Sequence, residues 1–306
     1  MPELPDLTVY IECLQSRIVG HPLENLRIVS PFLLRSVDPP IVRAHQKKVV
    51  GLGRIGKQLV WELEDELFLI IHLMIAGRFH WKIKGASVNR KVGLAAFDFP
   101  NGTLLLTEAS TKKRASLFLI EGKSTITRFD RGGLEVLNGS FDKFRSALLW
   151  ENHTLKRCLT DPRIFSAIGN AYSDEILHSA RLSPLSRSQR LSDIEITRLH
   201  RSTQETLKEW IARLRSQAGG SFPEKVTAFH PEMAVHGKFG QPCPVCGTAV
   251  QRVVYAENEC NYCPRCQTGG KILADRSLSR LLKADWPKTI EELESDPGLN
   301  KSLHSP

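Results

Sequence analysis

The sequence predicts a multidomain α+β protein, in which an N-terminal β-sandwich with a flanking helix precedes a helical domain and a C-terminal β-hairpin. Three observations carry this prediction. Short β-rich runs alternate with turn residues up to about residue 132, helical periodicity dominates from 133 to about 230, and five of the seven cysteines lie between 243 and 266. We therefore expect domains at 1–132, 133–230 and 236–270, followed by an extension at 271–306 whose role the sequence does not indicate.

The first domain is predicted to begin with a helix and to continue in strands. Apolar residues recur at three- and four-residue steps over residues 7–18, directly after Pro5, which is typical of a helix with one apolar face. Asn101-Gly102 is a strong hairpin signal between two later runs. Runs of this length and spacing pack as a sandwich or a flattened barrel. The predicted strands lie at 27–30, 49–53, 58–63, 67–72, 78–83, 93–99 and 103–107.

Helical periodicity begins beyond Gly132-Gly133. We predict helices at 140–149, 154–159, 171–179 and 192–216. The last is the clearest, because Ser192 and Glu195 form a capping box ahead of a single apolar stripe. In the extension, two short helices are expected near 277–282 and 290–293.

The composition of the chain indicates which partners and which cellular location to expect. A net charge of +9 and a pI near 9.3 favour polyanionic partners. The longest apolar run, at 67–73, is too short to cross a bilayer, and no basic segment followed by an apolar stretch opens the chain. We therefore expect a cytoplasmic protein without a membrane partner.

The cysteine spacing predicts a metal site. Cys243-Pro-Val-Cys246 and Cys263-Pro-Arg-Cys266 are separated by sixteen residues, which is the spacing of a zinc ribbon. Four thiolates close a tetrahedron around one zinc ion and leave no open position, so the metal is expected to be structural. Cys260 lies too early in the second pair to be a ligand and is predicted to be a packing residue.

The amino terminus has two interpretations. If Met1 is removed, Pro2 carries a free secondary amine that can attack a carbonyl carbon, and Glu3 is a candidate acid or base beside it. Alternatively, Pro2 to Asp6 are only the entry to a helix, which is how prolines near a terminus are usually used. The residues of the terminus by themselves favour the second interpretation.

Three segments together resemble the formamidopyrimidine-DNA glycosylase and endonuclease VIII family. They are the Pro2-Glu3 terminus, the segment Ala167-Ile-Gly169-Asn170 in the helical half, and the cysteine ribbon that ends at Cys266. The resemblance covers roughly residues 1–270. It implies that the helical domain is a helix-two-turn-helix domain, that the cysteines form a zinc finger, and that the partner is double-stranded DNA containing a damaged base. A monomeric, nucleoid-associated protein is expected.

The same resemblance implies a reaction. Pro2 is the nucleophile of a bifunctional DNA glycosylase with DNA-(apurinic or apyrimidinic site) lyase activity in base excision repair, with Glu3 as the proton donor. Lys57 is carried over as a residue that supports catalysis, and His72 and Asn170 as residues that bind phosphate. Without the resemblance, a lone lysine is usually solvated and a histidine in a strand is usually a core residue.

This sequence departs from the family pattern in three places. Asn258 stands where the family has an arginine that grips a phosphate, and asparagine supplies no charge. Ile75 occupies the position of a methionine that fills the hole left by the flipped base. A second loop reads Lys112-Lys113-Arg114 in place of an arginine and an aromatic residue. We hypothesise that this loop supplies the charge that Asn258 lacks.

The segment from Gly219 to Gly237 is shorter than in family members that close a loop over 8-oxoguanine. This difference favours oxidised or modified pyrimidines, such as 5-hydroxyuracil, as substrates. Two other interpretations stay open: a catalytically inactive protein of the same fold that binds damaged DNA, and a zinc-ribbon protein that binds partners through its C-terminal extension.

Overall fold

The computed structural model describes residues 1–224, 226–255, 258–274, 279, 283 and 286–295. They form two compact units. The first contains Met1–Gly132 and Lys208–Ala228, and the second contains Gly133–Leu207 and the described residues from Phe229 onward. No helix among these residues combines the length and the apolar character that a membrane span requires.

The described residues of the first unit include a long helix at the start of the chain, eight strands and the last part of a second long helix. Helix α1 (Leu4–Ile18) precedes all of them. The strands are β1 (Asn25–Ile28), β2 (Val49–Ile55), β3 (Gln58–Leu63), β4 (Leu67–His72), β5 (Gly77–Lys82), β6 (Gly93–Phe99), β7 (Gly102–Glu108) and β8 (Ser116–Glu121). They form two antiparallel sheets, one in the order β2-β3-β4-β8 and one in the order β1-β6-β7-β5.

The two sheets enclose one apolar core, which confirms the predicted sandwich. Alternate residues of β3 and β4 point into this core, and the ring of Trp61 lies 4.9 Å from the ring of Phe97 on the facing sheet. The apolar face of α1 packs against the same core through Leu7, Tyr10 and other residues at helical spacing. Strands 58–63, 67–72 and 93–99 have the predicted ends, whereas β8 was absent from the sequence prediction.

The second unit begins with helices. They are α2 (Phe141–Leu149), α3 (Leu155–Thr160), α4 (Asn170–Ser179) and α5 (Asp193–Ala218), the last of which contributes residues to both units. Ser140 caps α2 by accepting the N–H of Lys143, and the predicted capping box of Ser192 and Glu195 is present at α5. The helices predicted for the helix-two-turn-helix domain are thus present in the expected order.

The cysteine region contains a hairpin of β9 (Gln251–Tyr255) and β10 (Asn258–Tyr262), followed by the short helix α6 (Pro264–Thr268). In the C-terminal extension, α7 (Ile290–Ser295) corresponds to one predicted helix. The other, at 277–282, lies outside the described residues except for position 279.

Candidate functional site

The amino terminus is a fixed part of the first unit. Glu3 immediately precedes α1, and Pro5 occupies the first turn, where the N–H that a proline lacks would have no partner in the helix. The N–H of Glu3 donates to Oδ2 of Asp6 at 2.8 Å, and Pro2, Glu3 and Asp6 are all buried. The first residues of the chain are therefore held in one position by burial and by this hydrogen bond.

The surroundings of the terminus shift the pKa values of its groups. Burial lowers the pKa of the terminal amine of Met1, and Arg78 and Lys57 lower it further, against opposing effects of Glu3 and Asp6. Burial also raises the pKa of Asp6 to about 7, and the neighbouring charge of Glu3 contributes to that increase. The surroundings of Met1 thus favour the neutral form of its amine, and Pro2, which follows it, is buried as well.

Lys57 and His72 lie at one end of the first sheet. Lys57 follows Gly56 in the turn between β2 and β3, and Gln58 pairs with His72, which in turn pairs with Ser116 at the start of β8. Burial lowers the pKa of His72 to about 4, and the charge of Lys57 lowers it as well. His72 is therefore a neutral imidazole at physiological pH. Its Nε2 atom is buried and has no hydrogen-bond partner within the described part of the chain, a property that it shares with Nε1 of the core residue Trp61.

Three arginines lie around the cavity that His72 lines. A surface cavity of about 610 Å³ is lined by His72, Arg35, Arg128 and Arg131, together with Asp38. The arginine side chains are exposed, and none forms an ion pair with another described residue. Sequence reasoning missed this group, because its members come from separate segments and only the sandwich brings them together.

Two loops begin at paired positions of the second sheet. Gly77 in β5 is opposite Glu108 in β7, so the turn that carries Ile75 and the loop that follows Glu108 leave the sheet side by side. Ile75 is 57% exposed. The Glu108 carboxylate accepts the N–H of Arg114 at 2.9 Å and thereby orders the second loop.

The basic residues of the second loop differ in their surroundings. Lys112 and Arg114 are exposed to solvent. Lys113 is half-buried, and its ammonium donates a hydrogen bond to the carbonyl of Glu108. The structure therefore leaves Lys112 and Arg114 available for a ligand and ties Lys113 to its own loop.

In the second unit, Asn170 is the first residue of α4. The turn before it contains Ala167 at a φ of 61°, a left-handed conformation that is uncommon for alanine and often occurs at functional sites. Nδ2 of Asn170 donates to the carbonyl of Glu259 in β10 at 2.9 Å, and Lys156 donates to the carbonyl of Asn170 at 2.7 Å. Asn258 begins β10, but its side chain lies outside the described part of the structure.

The four predicted ligands Cys243, Cys246, Cys263 and Cys266 form one cluster, and all of their sulfur atoms lie within 4.8 Å of one another. Two of the Sγ–Sγ distances are 3.9 Å and 3.4 Å. A tetrahedral zinc site with Zn–S bonds of about 2.3 Å requires sulfurs about 3.8 Å apart, so the cluster fits one structural zinc ion. Cys260 is buried outside the cluster, as predicted.

Helix α4 also holds the chain around the zinc cluster. The Glu175 carboxylate accepts the backbone N–H groups of residues 234–236 at 2.7 to 2.9 Å. Asp174 accepts a hydrogen bond from Nδ1 of His236 at 2.7 Å, and Nε2 of His178 lies 3.3 Å from Sγ of Cys243. These contacts, which sequence reasoning did not identify, fix α4 against the metal-binding region.

The chain matches three family models. Residues 1–115 match the formamidopyrimidine-DNA glycosylase N-terminal domain, residues 133–219 match the H2TH domain of the same enzymes, and residues 240–269 match the zinc finger found in FPG and IleRS.

Two proteins of the same family are similar to this chain in sequence. A Mycobacterium tuberculosis protein, named an uncharacterized formamidopyrimidine-DNA glycosylase-like protein, is 41% identical over 152 residues, which are 49% of this chain and 94% of that protein. The formamidopyrimidine-DNA glycosylase of Heliobacterium modesticaldum is 29% identical over 280 residues, which cover 87% of this chain and 100% of the relative.

Two solved structures are similar over most of the chain. The complex of the Lactococcus lactis enzyme with DNA containing an abasic site has a TM-score of 0.77 and 26% identity, and covers 87% of this chain and 99% of its own. The complex of the wild-type enzyme from the same organism with DNA containing an oxidised pyrimidine has a TM-score of 0.77 and 28% identity, and covers 87% of this chain and 100% of its own.

Proposed function

Because the chain belongs to the formamidopyrimidine-DNA glycosylase family, we propose that it is a base excision repair DNA glycosylase that removes damaged bases through a Schiff base on Pro2. The observation that carries this proposal is the buried terminus. The backbone N–H of Glu3 donates to Asp6 at 2.8 Å, and Pro2 and Glu3 are held in a buried position at the start of the chain. Removal of Met1 would place the secondary amine of Pro2 beside the carboxyl groups of Glu3 and Asp6, and nucleophilic attack and proton transfer require these two kinds of group.

The first step requires removal of Met1, which frees the secondary amine of Pro2. Its lone pair attacks C1′ of the flipped nucleotide as the bond from C1′ to the base breaks, and the base leaves with that electron pair and takes up a proton. The attacking nitrogen loses its own proton. Glu3 donates a proton to O4′ as the sugar ring opens, which leaves an iminium between Pro2 and C1′.

The second step is the lyase reaction. The iminium withdraws electrons and acidifies the hydrogens on C2′. Glu3, now a carboxylate, is our candidate base for removing one of these protons. Those electrons form the C2′=C3′ double bond as the C3′–O bond breaks, so that the phosphate leaves and the strand is cut. Water then hydrolyses the iminium and regenerates the amine of Pro2.

Binding of the DNA backbone is assigned to the positive groups around His72. We propose that Lys57, His72 and the arginine group at 35, 128 and 131 bind phosphates of the damaged strand, with a contribution from Asn170. The unpaired Nε2 of His72 and the exposed arginines around one cavity support this assignment. The positions of Ile75, Lys112 and Arg114 on neighbouring loops support a role in filling the gap that the flipped base leaves.

Oxidised or modified pyrimidines are the proposed substrates. The shortness of the segment from Gly219 to Gly237 supports this choice, because a long loop over the base is the feature associated with 8-oxoguanine. A structure of the Lactococcus lactis enzyme with DNA that contains an oxidised pyrimidine indicates that such a base is compatible with this fold. We propose that the protein acts on double-stranded DNA as a monomer.

An abasic-site oligonucleotide tests the proposal. The wild-type protein is expected to form a covalent adduct when borohydride is added, and Pro2→Gly is expected to lose most of it, since only a secondary amine gives an iminium with a fixed charge. Binding of the same DNA in the absence of borohydride controls for folding. If the wild-type protein binds damaged DNA without forming an adduct, the inactive DNA-binding alternative suggested by Asn258 is correct instead.

A further inference from the structure

A cavity of about 370 Å³ lies beside the amino terminus, within the first unit. It is lined on one side by Asp6 and Val9 of α1, and on the other by the end of α5 and by Phe222, Glu224 and Val226. Asp6 connects this cavity to the proposed catalytic pair, because it accepts the N–H of Glu3. The wall opposite Asp6 is the segment that follows α5, defined here as residues 219–224 and 226.

The post-α5 segment is bound to α1 at its beginning. Arg17 donates to the carbonyl of Gly220 at 3.3 Å, and its guanidinium lies 5.7 Å from the centre of the Phe222 ring. The Phe222 ring also lies 5.7 Å from the ring of Tyr10 and is 8% exposed. Aromatic packing therefore anchors this half of the segment in the core.

The other half of the segment is bound to β5. Because side chains alternate along a strand, Arg78, His80 and Lys82 share one face of β5. Nδ1 of His80 lies 2.9 Å from Oε2 of Glu224, and Lys82 donates to Oε1 of Glu224 at 3.0 Å. Arg78 donates to the carbonyl of Val226. One face of a strand thus holds the segment through its side chain at Glu224 and its backbone at Val226.

The contact at Glu224 is a network rather than an isolated ion pair, and the side chains of Glu224 and Lys82 in it are 41% and 44% exposed. The Glu224 carboxylate has two partners, and Nε2 of His80 is itself 3.0 Å from Oγ1 of Thr107, which fixes the imidazole in place. Partial burial opposes ionisation, but the hydrogen bonds from His80 and Lys82 outweigh it and hold the pKa of Glu224 below its usual value. Networks of this kind contribute more than isolated exposed pairs do.

We propose that Glu224 is a positioning residue whose contacts with His80 and Lys82 hold the post-α5 segment as a preformed wall of the cavity beside Asp6, so that a flipped pyrimidine enters a site that is already ordered. This inference rests on the proposed function for the identity of the ligand. Ordering the wall before binding removes a conformational cost that the ligand would otherwise have to meet.

Glu224→Gln is the central variant, because it keeps the size of the side chain and removes its charge. Glu24→Gln is the matched control, since Glu24 forms a comparable ion pair with Lys84 at 2.8 Å on the same unit. Hydrogen exchange of the peptide that contains the post-α5 segment is measured first, in the free protein. Exchange should be faster in Glu224→Gln and unchanged in Glu24→Gln.

Affinity is then compared between a duplex with a 5-hydroxyuracil and the same duplex without damage. If the ordered wall becomes a minor state, affinity for the damaged duplex falls about 10-fold, in proportion to the population of the competent state. Affinity for undamaged DNA should not change, because no base enters the cavity. A Lys82→Met variant should have the same effect, and the double variant with Glu224→Gln should be no weaker than either single one.

Two outcomes would overturn the inference: unchanged exchange in Glu224→Gln, or faster exchange with an unchanged ratio of damaged to undamaged affinity. Failure of the proposed function is recognised separately. In that case the wild-type protein does not distinguish the two duplexes, while the exchange rates still report whether Glu224 holds the segment.

Discussion

Asp6 accepts a hydrogen bond from the backbone N–H of Glu3 at 2.8 Å, and both side chains are buried at the first turn of α1. The contact joins the proposed proton donor to the wall of the cavity beside the terminus. Glu3 is the N-cap of α1 and forms a capping box with Asp6, so the residues of the terminus begin the helix, and the catalytic role of Pro2 and Glu3 stays a prediction.

The pKa of Asp6 predicts a pH dependence of stability. Burial raises that pKa to about 7 in the folded protein, against about 3.9 in an unfolded chain. The folded state therefore binds the proton more tightly, and this contribution to the free energy of unfolding is present below about pH 4 and lost as the pH rises to about 7. Urea denaturation of Asp6→Asn should show a flatter pH profile than wild type, with a difference of up to about 4 kcal/mol. Asn in place of the exposed Asp142 is the control, and equal profiles for the wild type and Asp6→Asn would contradict the assignment.

The arginine group predicts a change in the salt dependence of DNA binding. Replacing Arg35, Arg128 and Arg131 with alanine should lower the slope of log affinity against log salt by about 0.9 for each phosphate contact that is lost. His72→Leu should weaken binding at every salt concentration without changing the slope, because its pKa of about 4 leaves the imidazole uncharged. Fluorescence anisotropy across a KCl series measures both, with the exposed Arg90 replaced by alanine as the control. A slope that stays the same in the triple variant would exclude these arginines from the DNA interface.

Lys112 and Lys113 are adjacent in sequence but should behave differently. Lys112 is exposed, whereas Lys113 donates to the carbonyl of Glu108. Lys112→Ala is therefore expected to reduce the salt slope by about 1, and Lys113→Ala to leave it unchanged. The same anisotropy titration across a KCl series measures the salt slope of each variant. Equal loss of slope in the two variants would mean that Lys113 leaves its carbonyl partner when DNA binds.

Much of the sandwich is predictable from sequence because its turns are strongly marked. Strand 58–63 follows a glycine turn, and strand 93–99 is followed by Asn101-Gly102, so their ends agree with the structure. Strand β8 escaped prediction because it is a short apolar run behind a basic loop, and such a run suits a helix or a strand equally well.

The candidate site is only partly predictable. The cysteine ligands follow from spacing alone, since two CxxC turns have few other uses. In contrast, Arg35 and Arg128 lie far apart in sequence and meet only at one cavity. The contact between Glu224 and His80 likewise depends on the path of the chain after α5. Neither hydrophobic periodicity nor a sequence motif predicts such contacts, because they depend on the tertiary fold.

The zinc site should depend on His178. Nε2 of this buried histidine lies 3.3 Å from Sγ of Cys243, so it can stabilise the thiolate by a hydrogen bond. His178→Ala is expected to weaken zinc binding about 10-fold or more, as measured by competition with a chromogenic chelator. His153→Ala, which removes a histidine that pairs with Glu151, is the control. Equal zinc affinity of wild type and His178→Ala would show that the hydrogen bond is unimportant.

The cysteine variants test the ligand set. Cys260→Ala should retain one zinc per chain and Cys246→Ala should lose it.

The site of covalent attachment tests the central claim most directly. The wild-type protein is incubated with an abasic oligonucleotide and borohydride, digested, and mapped by mass spectrometry. We predict that the reduced deoxyribose is found on the nitrogen of Pro2, in an N-terminal peptide from which Met1 has been removed. An adduct on the side chain of Lys57 or of another lysine, or an active protein that retains Met1, would contradict the account.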